Sequence, residues 1–471
     1  MKMIIGGRWV DKDEKIEVQN PQDGSIIDTV PSAEGEDVEN AYRIAERGAD
    51  VMRRLSSYER YSILKRTAEL LEENLEDFSR IIALEGIKTI REARKEASRA
   101  VNTITYAAEE AKRIEGEIVN VDADYRKENR FGYWVREPVG IVLAITPYND
   151  PLNMVAHKAA PAIASGNAIV LKPTYLTPLS ALKLGELFLE AGLPKEALSV
   201  ITGKSSKIGD VLVKDVRPRV ITFTGGVEAG EEIIKKAGLK KVMMELGSSS
   251  ACIVAEDADL SYTVPSVISG SFWAAGQNCI GVQRLYLQKS IHDKFMEDFV
   301  DKIGQYKVGD KLDEITDMGP MITKEEADRV EEWVNEAVEM GGRLVIGGRR
   351  EGNFYWPTVL ENVPTEAKVV RKEIFGPVVV VFPYETIDEA IREANDSDYG
   401  LHAAIFTKDI NKALYAAKEL RFGGIMINDS TDFRVDYMPF GGYKKSGLHR
   451  EGLKFAIDMM TEIKFVAISL T

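Results

Sequence analysis

The chain has 471 residues, 29% charged and 44% hydrophobic, with a formal net charge of −14. That is the balance of a globular protein long enough for about three domains. The acidic excess argues against nucleic acid or an anionic membrane as the main partner, and two cysteines cannot build a disulfide framework, so a reducing, cytoplasmic setting is expected. The N-terminus lacks the apolar run of a signal peptide. The longest uncharged stretch, Leu260 to Gln283, carries Pro265, Ser269, Ser271, Gln277 and Asn278. It is too polar for a bilayer span of ~20 residues, and it reads as a buried segment beside a pocket.

In chain order, Leu64, Ala68, Leu71, Leu75, Phe78 and Ile82 recur at the spacing of one continuous apolar helical stripe. A second long helix is predicted over Ile87 to Glu115, with Arg91, Arg94 and Arg99 on a solvated face. Gly116 to Trp134 changes to short extended pieces suited to a hairpin. From Val139, apolar runs alternate with helices: Val139–Ile145, Ala168–Leu171, Leu198–Ile201, Val220–Phe223 and Val242–Leu246, with helices over Leu179–Ala191 and Glu228–Ala237. This pattern predicts a parallel sheet covered on both faces, with any nucleotide beyond the carboxyl ends of its strands. A second α/β unit is expected from Ser248 to about Pro439, and Ile463–Leu470 as an edge strand.

Four places can carry chemistry. The strand Val220–Phe223 runs into Thr224-Gly225-Gly226 and, after Gly230, a helix; such a turn lets backbone N–H groups approach a pyrophosphate. The spacing differs from the dinucleotide G-x-G-x-x-G and by itself marks only a tight turn. Cys279 lies in the glycine-flanked patch Gly276-Gln277-Asn278-Cys279, whereas Cys252, inside an apolar run, is expected as a core thiol. Glu245 ends an apolar strand, where a carboxylate must be paired, solvated or used. Asn149 follows another strand end, where its amide can donate to an oxyanion. Each has an ordinary structural explanation alone; together they supply a nucleophile, a base and an oxyanion donor. No metal site is expected, because no H-E-x-x-H helix or Cys/His ligand spacing occurs.

Over nearly its whole length the chain resembles the aldehyde dehydrogenase superfamily. The resemblance is carried by Thr146-Pro147-Tyr148-Asn149-Asp150-Pro151, Leu171-Lys172-Pro173, Phe223-Thr224-Gly225 with Gly230, and Glu245-Leu246-Gly247. It continues through Gly276-Gln277-Asn278-Cys279, Glu373-Ile374-Phe375-Gly376-Pro377, Asn395 to Leu401, and Pro439-Phe440-Gly441-Gly442. Tyr106-Ala107-Ala108-Glu109-Glu110 and Ile427-Asn428-Asp429-Ser430 make it most similar to the lactaldehyde and non-phosphorylating glyceraldehyde-phosphate dehydrogenase branch.

The resemblance implies an α/β fold with a Rossmann-type cofactor domain (1–120 and 139–247), a catalytic α/β domain (248–440) and a small oligomerisation element (121–138 and 441–471). It implies oxidation of a small aldehyde, with Cys279 as nucleophile, Glu245 as general base and Asn149 as oxyanion donor. The cofactor, NADP or NAD, would be held by Thr146, Pro147, Lys172, Thr174, Tyr175, Gly225, Gly226, Gly230, Leu246, Glu373 and Phe375. A homo-oligomer, dimer or tetramer, is expected.

The chain departs from the family pattern at three points. Gly225-Gly226 replaces the usual Gly-Ser, and Glu245-Leu246-Gly247-Ser248-Ser249-Ser250-Ala251 replaces Glu-Leu-Gly-Gly-Lys-Ser-Pro. Tyr175 stands where NAD-preferring members often carry a glutamate, which leans the expectation toward NADP. Arg99 matches an arginine of the phosphate-using relatives, Asn278 replaces another, and Arg434 sits one position from a third. These are the candidate substrate residues, and the mismatch favours a small uncharged hydroxyaldehyde such as lactaldehyde, glycolaldehyde or glyceraldehyde. Glyceraldehyde phosphate and succinate semialdehyde remain alternatives. A CoA-acylating enzyme and a non-catalytic NAD(P)-binding protein are the rivals; Glu245 counts against the first, and the set Asn149, Glu245 and Cys279 against the second.

Overall fold

The computed structural model describes residues 1–125, 127 and 129–470. The five predicted apolar runs form the middle of one sheet, as strands Ile141–Thr146, Ala168–Pro173, Leu198–Val200, Val220–Thr224 and Lys241–Glu245. They are parallel, and in space they run 198–200, 168–173, 141–146, 220–224, 241–245. Strand order reverses between Ile141–Thr146 and Val220–Thr224, which opens a crevice at their carboxyl ends. Strands Met3–Ile5 and Arg8–Val10 extend one edge, and Gly447–Leu448 pairs antiparallel with the other. All five runs are almost wholly buried because helices cover both faces.

A second sheet of seven strands is built from Ser250–Val254 onward, with Val282–Gln288, Val378–Tyr384 and His402–Phe406 at its centre. Its core contains Cys252, which is fully buried as expected of a packing thiol. Part of the uncharged stretch becomes the helix Leu260–Phe272, which packs on this core.

Two helix expectations need adjustment. The stripe from Leu64 to Ile82 is divided between Ser57–Glu73 and Leu75–Glu85. The break is at Asn74, whose side-chain amide donates to the Leu70 carbonyl at 2.8 Å and so competes with the helix. The stripe still faces one core, so periodicity alone did not reveal the joint. The second helix is Ile90–Ala111, shorter at both ends than predicted; Thr89 caps it, with Glu92 completing a capping box.

Strands Glu117–Val119, Arg130–Pro138 and Thr461–Ser469 form a separate antiparallel sheet, with Arg130–Pro138 in the middle. Of the segment 121–138, Arg126 and Glu128 lie outside the described residues. The closing segment 441–471, expected as one part of the oligomerisation element, divides instead. Gly447–Leu448 seals the first sheet, and the helix Leu453–Met459 buries Leu453, Ala456 and Ile457 in the first core. Only Thr461–Ser469 joins the small sheet, because only that stretch alternates without a helical apolar face. Among the described residues no helix is long and apolar enough to cross a membrane.

Candidate active site

One wall of the site is the row of carboxyl ends on the first sheet. Ile141–Thr146 ends at Thr146 and turns through Pro147 and Tyr148 to a buried Asn149. Next to it, Ala168–Pro173 brings Lys172 to the same level, with Thr146 opposite Pro173. On the other side Thr224 stands opposite Glu245. After Thr224 the chain passes Gly225 and Gly226 into the helix Val227–Ala237, whose start has no side-chain cap. Gly230 lets that helix close on the next strand: a Cβ there would stand 2.5 Å from Leu246 Cδ2.

The opposite wall comes from the second sheet and the loops after it. Cys279 follows a turn in which Ala274, Ala275 and Gly276 are all left-handed. Glu373 accepts a hydrogen bond from the Ser248 N–H at 2.9 Å. Phe375 meets Tyr148 edge-on at 5.9 Å between centroids. Between the walls runs one cleft of about 530 Å³, lined by Asn149, Lys172, Glu245, Cys279, Glu373 and Arg434 among others.

The family model described as the aldehyde dehydrogenase family matches residues 9–466. The chain belongs to the aldehyde dehydrogenase family. It is 47% identical to a 3-sulfolactaldehyde dehydrogenase of Priestia megaterium over 99% of this chain and 98% of that one. A lactaldehyde dehydrogenase of Methanocaldococcus jannaschii is 42% identical over 99% of this chain and its own full length. Among solved structures, a glyceraldehyde-3-phosphate dehydrogenase of M. jannaschii complexed with NADP superposes with a TM-score of 0.93, at 42% identity over 97% of this chain and 100% of that one. The fold is that of the family, and the protein is an NAD(P)-dependent aldehyde dehydrogenase.

In this aldehyde dehydrogenase, thirteen of the residues singled out from the sequence line the cleft: Thr146, Pro147, Asn149, Lys172, Thr174, Gly225, Gly226, Glu245, Leu246, Cys279, Glu373, Phe375 and Arg434. Four do not. Gly230 lies behind Leu246. Tyr175 faces a neighbouring groove, with Lys204 Nζ 5.6 Å from its ring centroid. Arg99 is paired with Asp436 at 2.7 Å. Asn278 turns its carbonyl oxygen to the Ile280 N–H at 3.3 Å. Sequence reasoning missed Arg329, Trp333 and Glu228 as lining residues; nothing in their local pattern separates them from solvated helix residues.

Burial dominates the electrostatics of this dehydrogenase site. It pushes the Cys279 thiol up to about 12, opposed first by the Arg434 guanidinium. Desolvation outweighs that cation. Glu245 is held well above the usual carboxylate range by burial and then by the negative charge of Glu451; Arg434 and Lys158 oppose this. Glu373 rises to about 7 through burial, and Lys172 falls to about 8 for the same reason. The altered loop beside Glu245 is held in place: Arg284, fully buried, donates to the Ser249 carbonyl at 2.9 Å and to the Ala394 carbonyl at 3.0 Å.

Proposed function

We propose that the enzyme oxidises a short aldehyde to its carboxylic acid through a covalent bond to Cys279. The observation that carries this reading is the convergence of Cys279, Asn149 and Glu245, from three separate segments, on one cleft.

The cleft suits a nicotinamide dinucleotide. Among the described residues, the buried cation Lys172 has only a 3.4 Å contact from Nζ to the Pro173 carbonyl, and the buried hydroxyls of Thr146 and Thr224 have no hydrogen-bond partner. Unpaired groups of this kind, beside the uncapped start of the helix Val227–Ala237, match ribose hydroxyls and phosphates. Lys172 and Glu373 would hold the riboses, Gly225 and Gly226 the pyrophosphate, and Phe375 would border the nicotinamide. The bound cofactor supplies the acceptor for the hydride that leaves the aldehyde carbon.

Cys279, its thiol proton released to solvent through the cleft, attacks the aldehyde carbon, forming the carbon–sulfur bond and an oxyanion on the former carbonyl. The Asn149 amide and the Cys279 N–H donate to that oxyanion, each worth ~3 kcal/mol in comparable sites. After hydride loss a thioester remains on Cys279. Glu245, whose buried Oε2 has no hydrogen-bond partner among the described residues, takes a proton from water, and the resulting nucleophile releases the acid and restores the thiol. Hydride transfer from a panel of aldehydes, followed as absorbance of reduced cofactor, tests the reading; no turnover with any short aldehyde overturns it.

A small hydroxyaldehyde is the substrate class favoured by the lactaldehyde dehydrogenase relative. A hydroxyaldehyde carrying an anionic group is the second reading. Arg434 lines the cleft, its side chain is 6% exposed, and its buried Nε has no partner among the described residues. The sulfolactaldehyde and glyceraldehyde-phosphate relatives point the same way. Comparing kcat/KM for lactaldehyde and 3-sulfolactaldehyde decides between them.

Homo-oligomerisation is supported by the small sheet. It leaves Ile118, Ile463, Phe465 and Ile468 exposed and keeps open strand edges, which a second copy would cover.

A further inference from the structure

The turn before Cys279 holds a conformation its sequence does not favour. Ala274 has φ 52° and ψ 38°, Ala275 has φ 54° and ψ 39°, and Gly276 follows at φ 67°. A left-handed backbone is unfavourable for any residue with a Cβ, and two alanines in succession need outside support. Gly276 cannot be replaced without displacement, since a Cβ there would lie 2.1 Å from the Gly376 carbonyl oxygen.

Two side chains grip this turn. Gln277 Nε2 donates to the Ala274 carbonyl at 3.3 Å and the Pro320 carbonyl at 3.2 Å. Glu92 Oε1 accepts from the Ala274 N–H at 2.8 Å. Glu92 is the more telling of the two because it comes from the helix Ile90–Ala111, which packs on the first unit. It is 5% exposed, and its other oxygen accepts from the Thr89 N–H at 2.8 Å. One turn further along, Glu96 Oε1 accepts from the N–H groups of Leu152 and Asn153 at 2.8 and 3.0 Å, just past Asn149. Successive turns of one helix thus hold the segments that carry both oxyanion donors.

We propose that Glu92 is a positioning residue for Cys279: its carboxylate fixes the left-handed turn at Ala274, and with it the placement of the Cys279 sulfur and N–H relative to Asn149. The inference rests on Cys279 being the nucleophile. A displacement of about 1 Å at a reacting group can cost ~10²-fold in rate.

The test uses the full-length protein and four variants: Glu92→Ala, Ala274→Gly, the two combined, and Thr89→Ala. Glu92→Ala is expected to lower kcat roughly 10²-fold while the KM for the cofactor stays within about twofold. Alkylation of Cys279 by iodoacetamide, located by mass spectrometry, should become faster as the turn loosens. Ala274→Gly in the Glu92→Ala background should recover part of kcat, because glycine adopts the left-handed conformation without a steric penalty. Thr89→Ala removes a hydroxyl that donates to Glu92 Oε2 at 3.1 Å but leaves the Ala274 N–H on Oε1, and should lower kcat far less than Glu92→Ala does. Unchanged kcat and alkylation in Glu92→Ala overturn the proposal, as does a loss spread equally over cofactor KM and kcat with no recovery from glycine. If Glu92→Ala does not fold, Glu92→Gln, which keeps one acceptor for the Ala274 N–H, is the variant to compare with and without Ala274→Gly. Should the wild type oxidise no aldehyde, the proposed function fails, while the alkylation comparison still decides this point.

Discussion

Lys158 Nζ lies 2.8 Å from Glu451 Oε1, and neither side chain reaches solvent. Arg434 adds a second cation at 3.1 Å from the other Glu451 oxygen, so one buried carboxylate is shared by two positive charges. Glu451 in turn helps keep Glu245 above the ordinary carboxylate range. Glu451→Gln removes that negative charge and leaves Lys158 and Arg434 less compensated; both changes favour the ionised form of Glu245. The acid limb of the steady-state kcat–pH profile should therefore move to lower pH. Breaking such a pair should also cost about 3–5 kcal/mol of stability, measured by denaturant unfolding. A limb that stays in place would show that Glu245 does not govern turnover.

Cys279→Ala should lower aldehyde oxidation by at least about 10³-fold and leave cofactor binding intact, since only the covalent step is lost. Cys252→Ala should keep activity, because that thiol is enclosed in the second core. The measurements are initial rates and cofactor titration by fluorescence. Near wild-type turnover by the Cys279 variant would end the covalent scheme.

Glu245→Gln keeps the side chain's shape and removes the base. The first turnover of reduced cofactor should survive as a burst, while steady-state turnover drops about 10²–10⁴-fold. Stopped-flow absorbance separates the two phases. Loss of the burst would place Glu245 earlier, in activating the thiol; faster release with CoA than with water would favour thioester transfer.

The enzyme should use NADP at least as well as NAD. Tyr175 brings no negative charge to repel a ribose 2′-phosphate, and Lys172 and Lys204 bring positive charge nearby. One charge-assisted contact of ~1.5–3 kcal/mol gives roughly tenfold preference or more. Tyr175→Glu should shift the ratio of kcat/KM toward NAD. Because burial lowers Lys172 to about 8, its charge is present below that pH and lost above it. NADP affinity should accordingly be flat below about pH 8 and decline above it. A clear preference for NAD in the wild type contradicts this prediction.

If the proposed homo-oligomer forms through the small sheet, Phe465→Asp should dissociate it. The ring is half exposed on the strand Thr461–Ser469 and opposite Trp134, far from the cleft residues in the chain's topology. Light scattering should show a smaller species than wild type. A wild-type chain that is already a stable monomer would remove the basis for the expectation.

Much of this molecule was legible in its sequence because its signals are local. Five apolar runs gave the parallel sheet to within a residue or two, since strands buried on both faces need continuous apolar side chains. The motifs around Asn149, Glu245 and Cys279 pointed to one site because each marks a strand end or a glycine-supported turn. What stayed hidden depends on distant packing. The joint at Asn74 is set by one side-chain hydrogen bond, and the return of Gly447–Leu448 to the first sheet leaves no mark in two residues. The depth of burial that raises the Cys279 thiol against the charge of Arg434 is likewise set by packing and leaves no mark in the sequence.

That short return strand has a consequence for the order of events during synthesis. Lys241–Glu245 remains an open edge of the first sheet until residues 447–448 leave the ribosome, about 200 residues later and after the whole second sheet has been synthesised. An uncovered edge of this kind can pair with another nascent chain. The strand that carries Glu245 is thus exposed to chaperones and mispairing while the whole second unit is being made, and truncation anywhere before Gly447 would leave that edge permanently open.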